Sequence, residues 1–179
     1  MTGRGVDAPA SVGGTIGRAA SSSMLEVTEV ADRDVDAVVA LWRACDLTRP
    51  WNDPYRDIAD ARLGETSTVL VGRAASGTVP DDAAAAGDAP RPGDLLATAM
   101  VGVDGHRGWM YYLAVDPRVQ GTGLGREMVV AAEAWLAAAG ARAVRLMVRS
   151  TNDAVLGFYA RLGYVDQECT VLGRRLGDA

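Results

Sequence analysis

The sequence predicts a single α/β (α+β) domain in which helices flank a mixed, twisted sheet. The first indication is a strand-helix-strand unit over residues 109–148, which implies a parallel strand pair joined by a right-handed crossover. The second is a series of strand candidates before this unit, whose hairpin-like connections imply antiparallel neighbours. The length of 179 residues suffices for one such domain with its own core.

The composition argues against several classes of protein. A net charge of -5 argues against non-specific nucleic-acid binding, and no apolar run approaches the roughly 20 residues of a membrane span. The two cysteines, Cys45 and Cys169, form no C-x-x-C pair, so a reduced cytoplasmic protein is favoured, although one disulfide is compatible with the count. With His106 as the single histidine, we expect no metal site.

The elements of the first half follow from local patterns. Residues 1–23 are rich in Gly, Ala and Ser and predict a disordered tail before a domain over residues 24–179. Alternation over 24–30 predicts a strand, and apolar residues on one helical face predict a helix over 32–46. Pro50 and Pro54 indicate a loop over 47–55, a short helix over 57–63 is ended by Gly64, and β-branched residues predict a strand over 66–73.

The second half holds the strongest signals. Residues 74–93 form a low-complexity loop insertion between two strands, the second of which covers 94–103. A tight Asp-Gly turn leads to a strand over 109–115, and an amphipathic helix over 124–139 stops at Gly140. A strand over 144–148, a helix opened by Asn152 or Asp153 and closed by Gly163, and one or two strands over 164–176 complete the order β-α-α-β-β-β-α-β-α-β.

Three glycines at alternate positions precede the long helix: Gly121, Gly123 and Gly125. A Walker loop is excluded because the chain contains no lysine, and a dinucleotide fingerprint fails because its third glycine position falls on Arg126. The free amides of a helix N-terminus, approached over bare glycines, could still wrap an anion between Gln120 and Arg126. A glycine-rich turn that merely allows tight passage from strand to helix is the alternative from the loop alone.

Two motifs give this loop a context. Gln120-Gly121-Thr122-Gly123-Leu124-Gly125 fits the pattern Q/R-x-x-G-x-G/A, and the run Asn152…Phe158-Tyr159…Gly163-Tyr164 follows one strand later. On these residues the chain resembles the GCN5-related N-acetyltransferase (GNAT) family over about residues 25–176. The stretches "CDLTRPWNDP" and "DGHRGWMYYLAVDP" are similar to the bacterial YpeA-type subgroup.

The resemblance implies the GNAT fold, with acetyl-CoA as co-substrate in the opening of a splayed parallel strand pair. The loop amides would hold the pyrophosphate, and the backbone of Ala114 and Val115 would pair with the pantetheine arm. Asn152 would lie near the pantetheine, and the Tyr159 hydroxyl would face the CoA sulfur as the general acid. The Val115 N–H would serve the developing oxyanion. The cofactor residues are therefore Ala114, Val115, Gln120, Gly121, Thr122, Gly123, Leu124, Gly125, Arg126, Asn152 and Tyr159.

The acceptor side is less defined. Trp51, Asn52 and Asp53 lie where the family binds its acceptor, and Trp51 between two prolines is hard to justify as a core residue. The general base stays open between a water chain and the side chains of Asp53, Asp104, His106, Tyr111, Tyr112 and Asp116. Tyr111 and Tyr112 should face opposite sides of their strand, so only one is expected to line the acceptor cleft.

The implied activity is transfer of an acetyl group to a primary amine, of a small molecule or a peptide, by direct attack in a ternary complex. An acetyltransferase of the ribosomal-protein type, acting on N-terminal alanine, and a non-catalytic CoA-binding sensor are the alternatives. We expect a monomer or a homodimer that binds neither nucleic acid nor membranes.

Overall fold

The computed structural model describes residues 23–76 and 89–174. The predicted tail up to residue 22, and residues 77–88 of the predicted loop insertion, lie outside this part of the chain. The strands and helices, in chain order, are β1 (Leu25–Glu29), α1 (Val35–Ala44), α2 (Pro54–Ala61), β2 (Ser67–Ala74), β3 (Leu95–Val103), β4 (Gly108–Val115), α3 (Leu124–Ala138), β5 (Val144–Arg145) and α4 (Asp153–Arg161).

The strands form one mixed sheet in the order β1-β2-β3-β4-β5. The first four strands pair antiparallel, and β4 pairs parallel with β5 across the crossover helix α3. This topology confirms the predicted fold class, including the position of its parallel pair. No helix within the described ranges is long and apolar enough to cross a membrane.

Two hydrophobic cores cover the two faces of the sheet. Successive residues of β2 point to opposite faces, so Val69 and Val71 pack with the core of α1 and α2, while Leu70 packs with the core of α3. Trp42 of α1 is fully buried, and its indole Nε1 donates a hydrogen bond of 2.9 Å to Thr98 Oγ1 in β3. Both faces of the central strands are thus covered, which fixes β4 firmly in the sheet.

A β-bulge interrupts the pairing of β3 and β4. Thr98 lies opposite Ala114 and Met100 opposite Tyr111, so β4 has one residue more than β3 between these pairs. Tyr112, inside the bulge, has a φ of 48°, a left-handed conformation that is uncommon for a bulky residue. Bulges re-aim side chains, and this one changes the face to which the tyrosines of β4 point.

Several predicted boundaries are wrong. β5 contains only Val144 and Arg145 of the predicted strand over 144–148, because β4 diverges and leaves residues 146–148 without a ladder. Residues 164–173 contain no strand, and the hydrogen bonds that Gln167, Glu168 and Cys169 donate reach only residues two positions earlier in the chain. Cys169 is exposed there. The helix α2 begins three residues earlier than predicted, since Asp53 caps it and Pro54 takes its first position, where a missing N–H costs nothing.

Candidate functional site

An opening lies beside β4 on the side of β5. The parallel ladder consists of Gly108 opposite Val144 and Trp109 opposite Arg145, and among the described residues β4 has no partner at this edge from Met110 onwards. Of the two family-implied pantetheine residues, Val115 has its backbone groups turned to this edge, whereas those of Ala114 pair with Thr98 of β3, so the expectation for the Ala114 backbone is wrong. The side chain of Ala114 is buried, and that of Val115 is half-buried.

The glycine loop joins the end of β4 to α3. Gly121 and Gly123 have φ values of 82° and 104°, which L side chains rarely adopt, and Gly123 is the N-cap of α3. The backbone N–H groups of residues 121–126 have no hydrogen-bond acceptor within the described ranges, whereas the next amide, that of Glu127, donates to the Gly123 carbonyl at 3.1 Å. Thr122 Oγ1 donates to the Val119 carbonyl at 2.7 Å, which tightens the turn.

The remaining loop residues have distinct surroundings. Leu124 is buried in the core, and Arg126 is exposed. A Cβ on Gly125 would lie 3.5 Å from both the Phe158 ring and Val115 Cγ2, so the first turn of α3 packs directly on α4 and on the end of β4. The two sequence motifs and the end of β4 therefore meet at one place.

The carbonyl of Val115 accepts two hydrogen bonds. Gln120 Nε2 donates to it at 3.0 Å, and the Cys45 thiol of α1's C-terminal end donates at 3.2 Å. Burial raises the pKa of Cys45, so its thiol stays protonated and acts as a donor here. The sequence did not indicate this role of Cys45, because nothing local connects residue 45 with residue 115.

The helix α4 supplies the second motif. Asn152 caps it, with Oδ1 accepting from the Val155 N–H at 3.2 Å. Tyr159 is 8% exposed, and its ring makes edge contacts with Phe158 and Tyr164 at centroid distances of 5.0 and 5.3 Å. Burial raises the pKa of Tyr159 to about 12, and its hydroxyl has no hydrogen-bond partner among the residues that the structure describes.

A second recess, with a volume of about 380 Å³, lies between α2 and the strands β2 to β4. It is lined by Asn52, Asp57, Asp60, Ala61, Ser67, Met100, Val101, Gly102, Tyr111 and Tyr112. Tyr111 and Tyr112 do not face opposite sides of β4 as expected, because the bulge shifts the register between them and both line this cavity. Asn52 lines this cavity and also borders a further one of about 380 Å³ beside Arg43 and Arg49, while its role as an acceptor contact stays a prediction.

Tyr112 connects the walls of this cavity. Its hydroxyl donates a hydrogen bond of 2.6 Å to Asp57 Oδ2 and accepts one of 3.2 Å from Asn52 Nδ2. Burial, followed by the hydrogen bond to Asp57, raises the pKa of Tyr112. The sequence did not indicate the contact of Asp57 with Tyr112, although Asp57 and Asp60 lie one helical turn apart.

The other acceptor-side candidates lie outside the lining of this cavity. Trp51 is 60% exposed, and the Asp53 carboxylate accepts from the Tyr55 and Arg56 N–H groups as the cap of α2. His106 is exposed in a hairpin turn, where its N–H donates to Asp104 at 2.8 Å. Trp51 and His106 are therefore exposed residues that do not line the cavity, and Asp53 acts as the N-cap of α2.

Two further candidate bases are held in their charged form. Hydrogen bonds from the Trp109 indole and from two turn amides lower the pKa of Asp104 to about 2. Hydrogen bonds from Arg118, which contacts the carboxylate at 2.6 Å, lower the pKa of Asp116. A carboxylate with so low a pKa binds a proton weakly, so neither residue is favoured as the base.

The family model described as "Acetyltransferase (GNAT) family" matches residues 37–164. The chain belongs to the GNAT acetyltransferase family. It is 37% identical over 152 residues to a protein named acetyltransferase from Pectobacterium atrosepticum, a match that covers 85% of this chain and 96% of that relative. The chain is thus an acetyltransferase by family, while the finer resemblance to the YpeA-type subgroup stays a prediction.

Solved structures agree with the GNAT fold. The aminoglycoside acetyltransferase AAC(6')-Iy, bound to a bisubstrate analogue, superposes with a TM-score of 0.65 at 13% identity, covering 87% of this chain and 100% of the other. An aminoglycoside acetyltransferase from an uncultured soil sample, in complex with sisomicin, gives a TM-score of 0.62 at 15% identity, covering 87% and 97%. At these identities the likeness concerns the fold.

Proposed function

We propose that this GNAT protein transfers the acetyl group of acetyl-CoA to a primary amine by direct attack in a ternary complex. The observation that carries the proposal is the unpaired edge of β4 running into a loop whose amides at residues 121–126 have no acceptor in the described chain. An edge of this kind suits an extended amide-bearing arm, and a helix N-terminus suits its phosphates. A structure of AAC(6')-Iy contains CoA, which fits the same use of the fold.

The cofactor would be held mainly by backbone groups. The amides from Gln120 to Arg126 would bind the pyrophosphate, and the exposed guanidinium of Arg126 would add positive charge there. The unpaired edge of β4 would bind the pantetheine amides, but not through Ala114, whose backbone groups pair with Thr98 of β3. Because Gln120 and Cys45 already bond the Val115 carbonyl, the Val115 N–H is the group of that residue assigned to the acetyl oxygen.

Acetyl-CoA supplies an acyl group on a good leaving thiolate. The neutral amine forms the new C–N bond at the carbonyl carbon, the C–S bond breaks, and the amine proton leaves to the base. Donors preorganised at the developing oxyanion are typically the largest contribution to such chemistry, and the Val115 N–H takes this role. The base is assigned to water, since Asp53, Asp104 and Asp116 are held in local hydrogen bonds.

Tyr159 is assigned to the leaving thiolate. A phenol with a pKa of about 12 stays protonated at neutral pH and is a ready hydrogen-bond donor. Complete proton transfer to a thiolate of pKa about 8.5 would be uphill by roughly 5 kcal/mol. Tyr159 therefore stabilises the thiolate by donating a hydrogen bond, and the proton reaches the sulfur after the C–S bond has broken.

The experiment is an acceptor panel of amines and peptides, with acetyl-CoA-dependent release of the CoA thiol as the readout. We expect release with at least one primary amine. Peptides with N-terminal alanine as the sole substrates would favour the ribosomal-protein type. Binding of acetyl-CoA without release for any acceptor would contradict the enzyme and favour a CoA sensor.

A further inference from the structure

The C-terminal end of α4 folds back onto Tyr159. Gly163 has a φ of 90°, and its N–H donates to the Ala160 carbonyl at 3.1 Å. The N–H of Tyr164 donates to the Tyr159 carbonyl, also at 3.1 Å. These two bonds form a Schellman motif, in which the residue after the glycine packs against the last full turn of the helix. The ring of Tyr164 accordingly meets that of Tyr159 edge-on, at a centroid distance of 5.3 Å and an interplanar angle of 64°.

The hydroxyl of Tyr164 is bound to the neighbouring helix α3. It donates a hydrogen bond of 2.7 Å to Glu133 Oε1. Burial, followed by this hydrogen bond, raises the pKa of Tyr164, so the phenol stays protonated and remains the donor. Both side chains are half-buried, which shields the bond in part from competing water. Tyr164 is therefore held at both ends, by its backbone on α4 and by its hydroxyl on α3.

The bond between Tyr164 and Glu133 has a particular place in the fold. Among the described residues, it is the one hydrogen bond that joins residues 146–174 to the rest of the chain. The helix α4 otherwise packs through apolar side chains, such as the Phe158 ring beside Gly125 of α3. Apolar packing is non-directional, whereas a hydrogen bond between two side chains favours one geometry. The Tyr164–Glu133 bond therefore fixes how α4 lies against α3.

The direction of the Tyr159 hydroxyl depends on this arrangement. The hydroxyl has no hydrogen-bond partner of its own in the described chain, so the rings packed against Tyr159 determine where it points. We propose, on the basis of the proposed function, that the Tyr164–Glu133 hydrogen bond holds the Tyr159 hydroxyl in the direction of the CoA sulfur. Tyr164 and Glu133 are then positioning residues, which act through Tyr159 and need no contact with either substrate.

The test measures single-turnover acetyl transfer to an acceptor that the amine and peptide panel identifies. Tyr164→Phe keeps the ring and removes the donor, so we expect the rate to fall about 10-fold, because a misplaced catalytic group slows the chemical step. Acetyl-CoA affinity should stay close to native. Glu133→Ala should slow transfer equally, whereas Glu133→Gln, whose amide oxygen still accepts, should keep most of the native rate. Tyr55→Phe removes a phenol that donates to Asp36 at 3.2 Å and should leave the rate unchanged.

A double substitution separates positioning from a general loss of structure. In Tyr159→Phe the hydroxyl that Tyr164 positions is absent, so adding Tyr164→Phe should change the rate by less than about 2-fold. An equal loss of rate in the native and Tyr159→Phe backgrounds would show that Tyr164 does not act through Tyr159, and it would overturn the inference. Native rates for Tyr164→Phe and Glu133→Ala, with a slow Tyr159→Phe, would overturn it as well and leave the proposed function intact.

NMR relaxation of an isotope-labelled Tyr159 ring in the ligand-free full chain tests the positioning without any acetylation, since order parameters report how tightly the ring is held. Ring order that falls in Tyr164→Phe and in Glu133→Ala, but is kept in Glu133→Gln, supports the inference even if no acceptor is acetylated. The same ring order in the native chain, Tyr164→Phe and Glu133→Ala overturns the inference even if acetyl transfer is observed.

Discussion

Gln120 Nε2 donates a hydrogen bond of 3.0 Å to the carbonyl of Val115. This contact joins the first residue of the glycine motif to the end of β4, so the loop and the unpaired strand edge are held in one arrangement. At its other end the loop is held by Glu127, whose N–H donates to Gly123 and whose carboxylate accepts from the N–H groups of Met24 and Leu25 at 3.1 and 3.0 Å. The loop is therefore anchored on both sides before any ligand binds.

Gly123→Asp should lower the affinity for acetyl-CoA by about 100-fold or more. It places a negative charge where the pyrophosphate is proposed to lie, and like charges brought together cost several kcal/mol. The φ of 104° also strains any L side chain, so stability must be controlled. Gly93→Asp provides the match, since Gly93 has a φ of 88° and open space around it. Calorimetry should show weak binding for Gly123→Asp and native affinity for Gly93→Asp; equal affinities would remove the anion from this loop.

Tyr159→Phe should slow acetyl transfer by about 10²-fold or more while acetyl-CoA affinity stays close to native. The ring still packs between Phe158 and Tyr164, and the hydroxyl that is removed has no other described partner. Single-turnover rates are the appropriate readout, because product release can mask the chemical step. Tyr55→Phe, which removes an exposed phenol on α2, is the control. Equal single-turnover rates for Tyr159→Phe and the native chain would return Tyr159 to a packing role.

The same residue predicts a pH dependence of stability. Burial raises the pKa of Tyr159 from the ordinary 10.0 to about 12 in the folded state. Between these values the unfolded chain binds fewer protons than the folded chain, so the free energy of unfolding falls as the pH rises, by up to about 2.7 kcal/mol. Urea unfolding from pH 9 to about 12 should show a shallower decline in Tyr159→Phe than in Tyr55→Phe. The decline should not vanish, because burial also raises the pKa of Tyr164.

Asn152→Ala should lower both stability and acetyl-CoA affinity. Loss of the cap that Asn152 provides to the Val155 N–H costs about 1 kcal/mol. Asp53→Ala removes the cap of α2 and supplies the comparison, since it should cost similar stability without changing acetyl-CoA affinity. If Asn152→Ala also keeps native affinity at matched stability, Asn152 is a cap and not a cofactor contact.

Sequence patterns predicted those helices and strands whose signals lie within one contiguous segment of the chain. The helix α3 was predictable because glycines precede it and because Leu124, Met128 and Leu136, which are buried, recur at helical spacing. The motif Gln120–Gly125 could also be recognised, because its residues are contiguous in the chain at a strand-to-helix turn. The prediction of strands over residues 164–176 was wrong for the described residues up to 174. Alternation indicates only which face of a sheet a residue would prefer, and a strand also needs a neighbouring strand to pair with.

The cavity lined by Tyr111 and Tyr112 could not be predicted because it depends on a register shift. The extra residue of β4 at Tyr112 turns two adjacent tyrosines towards one cavity, and no pattern in "WMYYLAV" marks that position as a bulge. The contact of Asp57 with Tyr112 and that of Cys45 with Val115 join residues 55 and 70 positions apart. Such pairs arise from how α1 and α2 pack on the sheet, which local periodicity does not encode.

The most direct measurement of the central claim is a calorimetric titration of acetyl-CoA into the full chain, repeated as thermal unfolding in the presence of the ligand. The account predicts saturable binding to one site, and at ~100-fold above the dissociation constant an added stability of about 2.7 kcal/mol. Absence of binding by acetyl-CoA and CoA at millimolar concentration, with the chain folded, would contradict the assignment of the glycine loop and of the β4 edge.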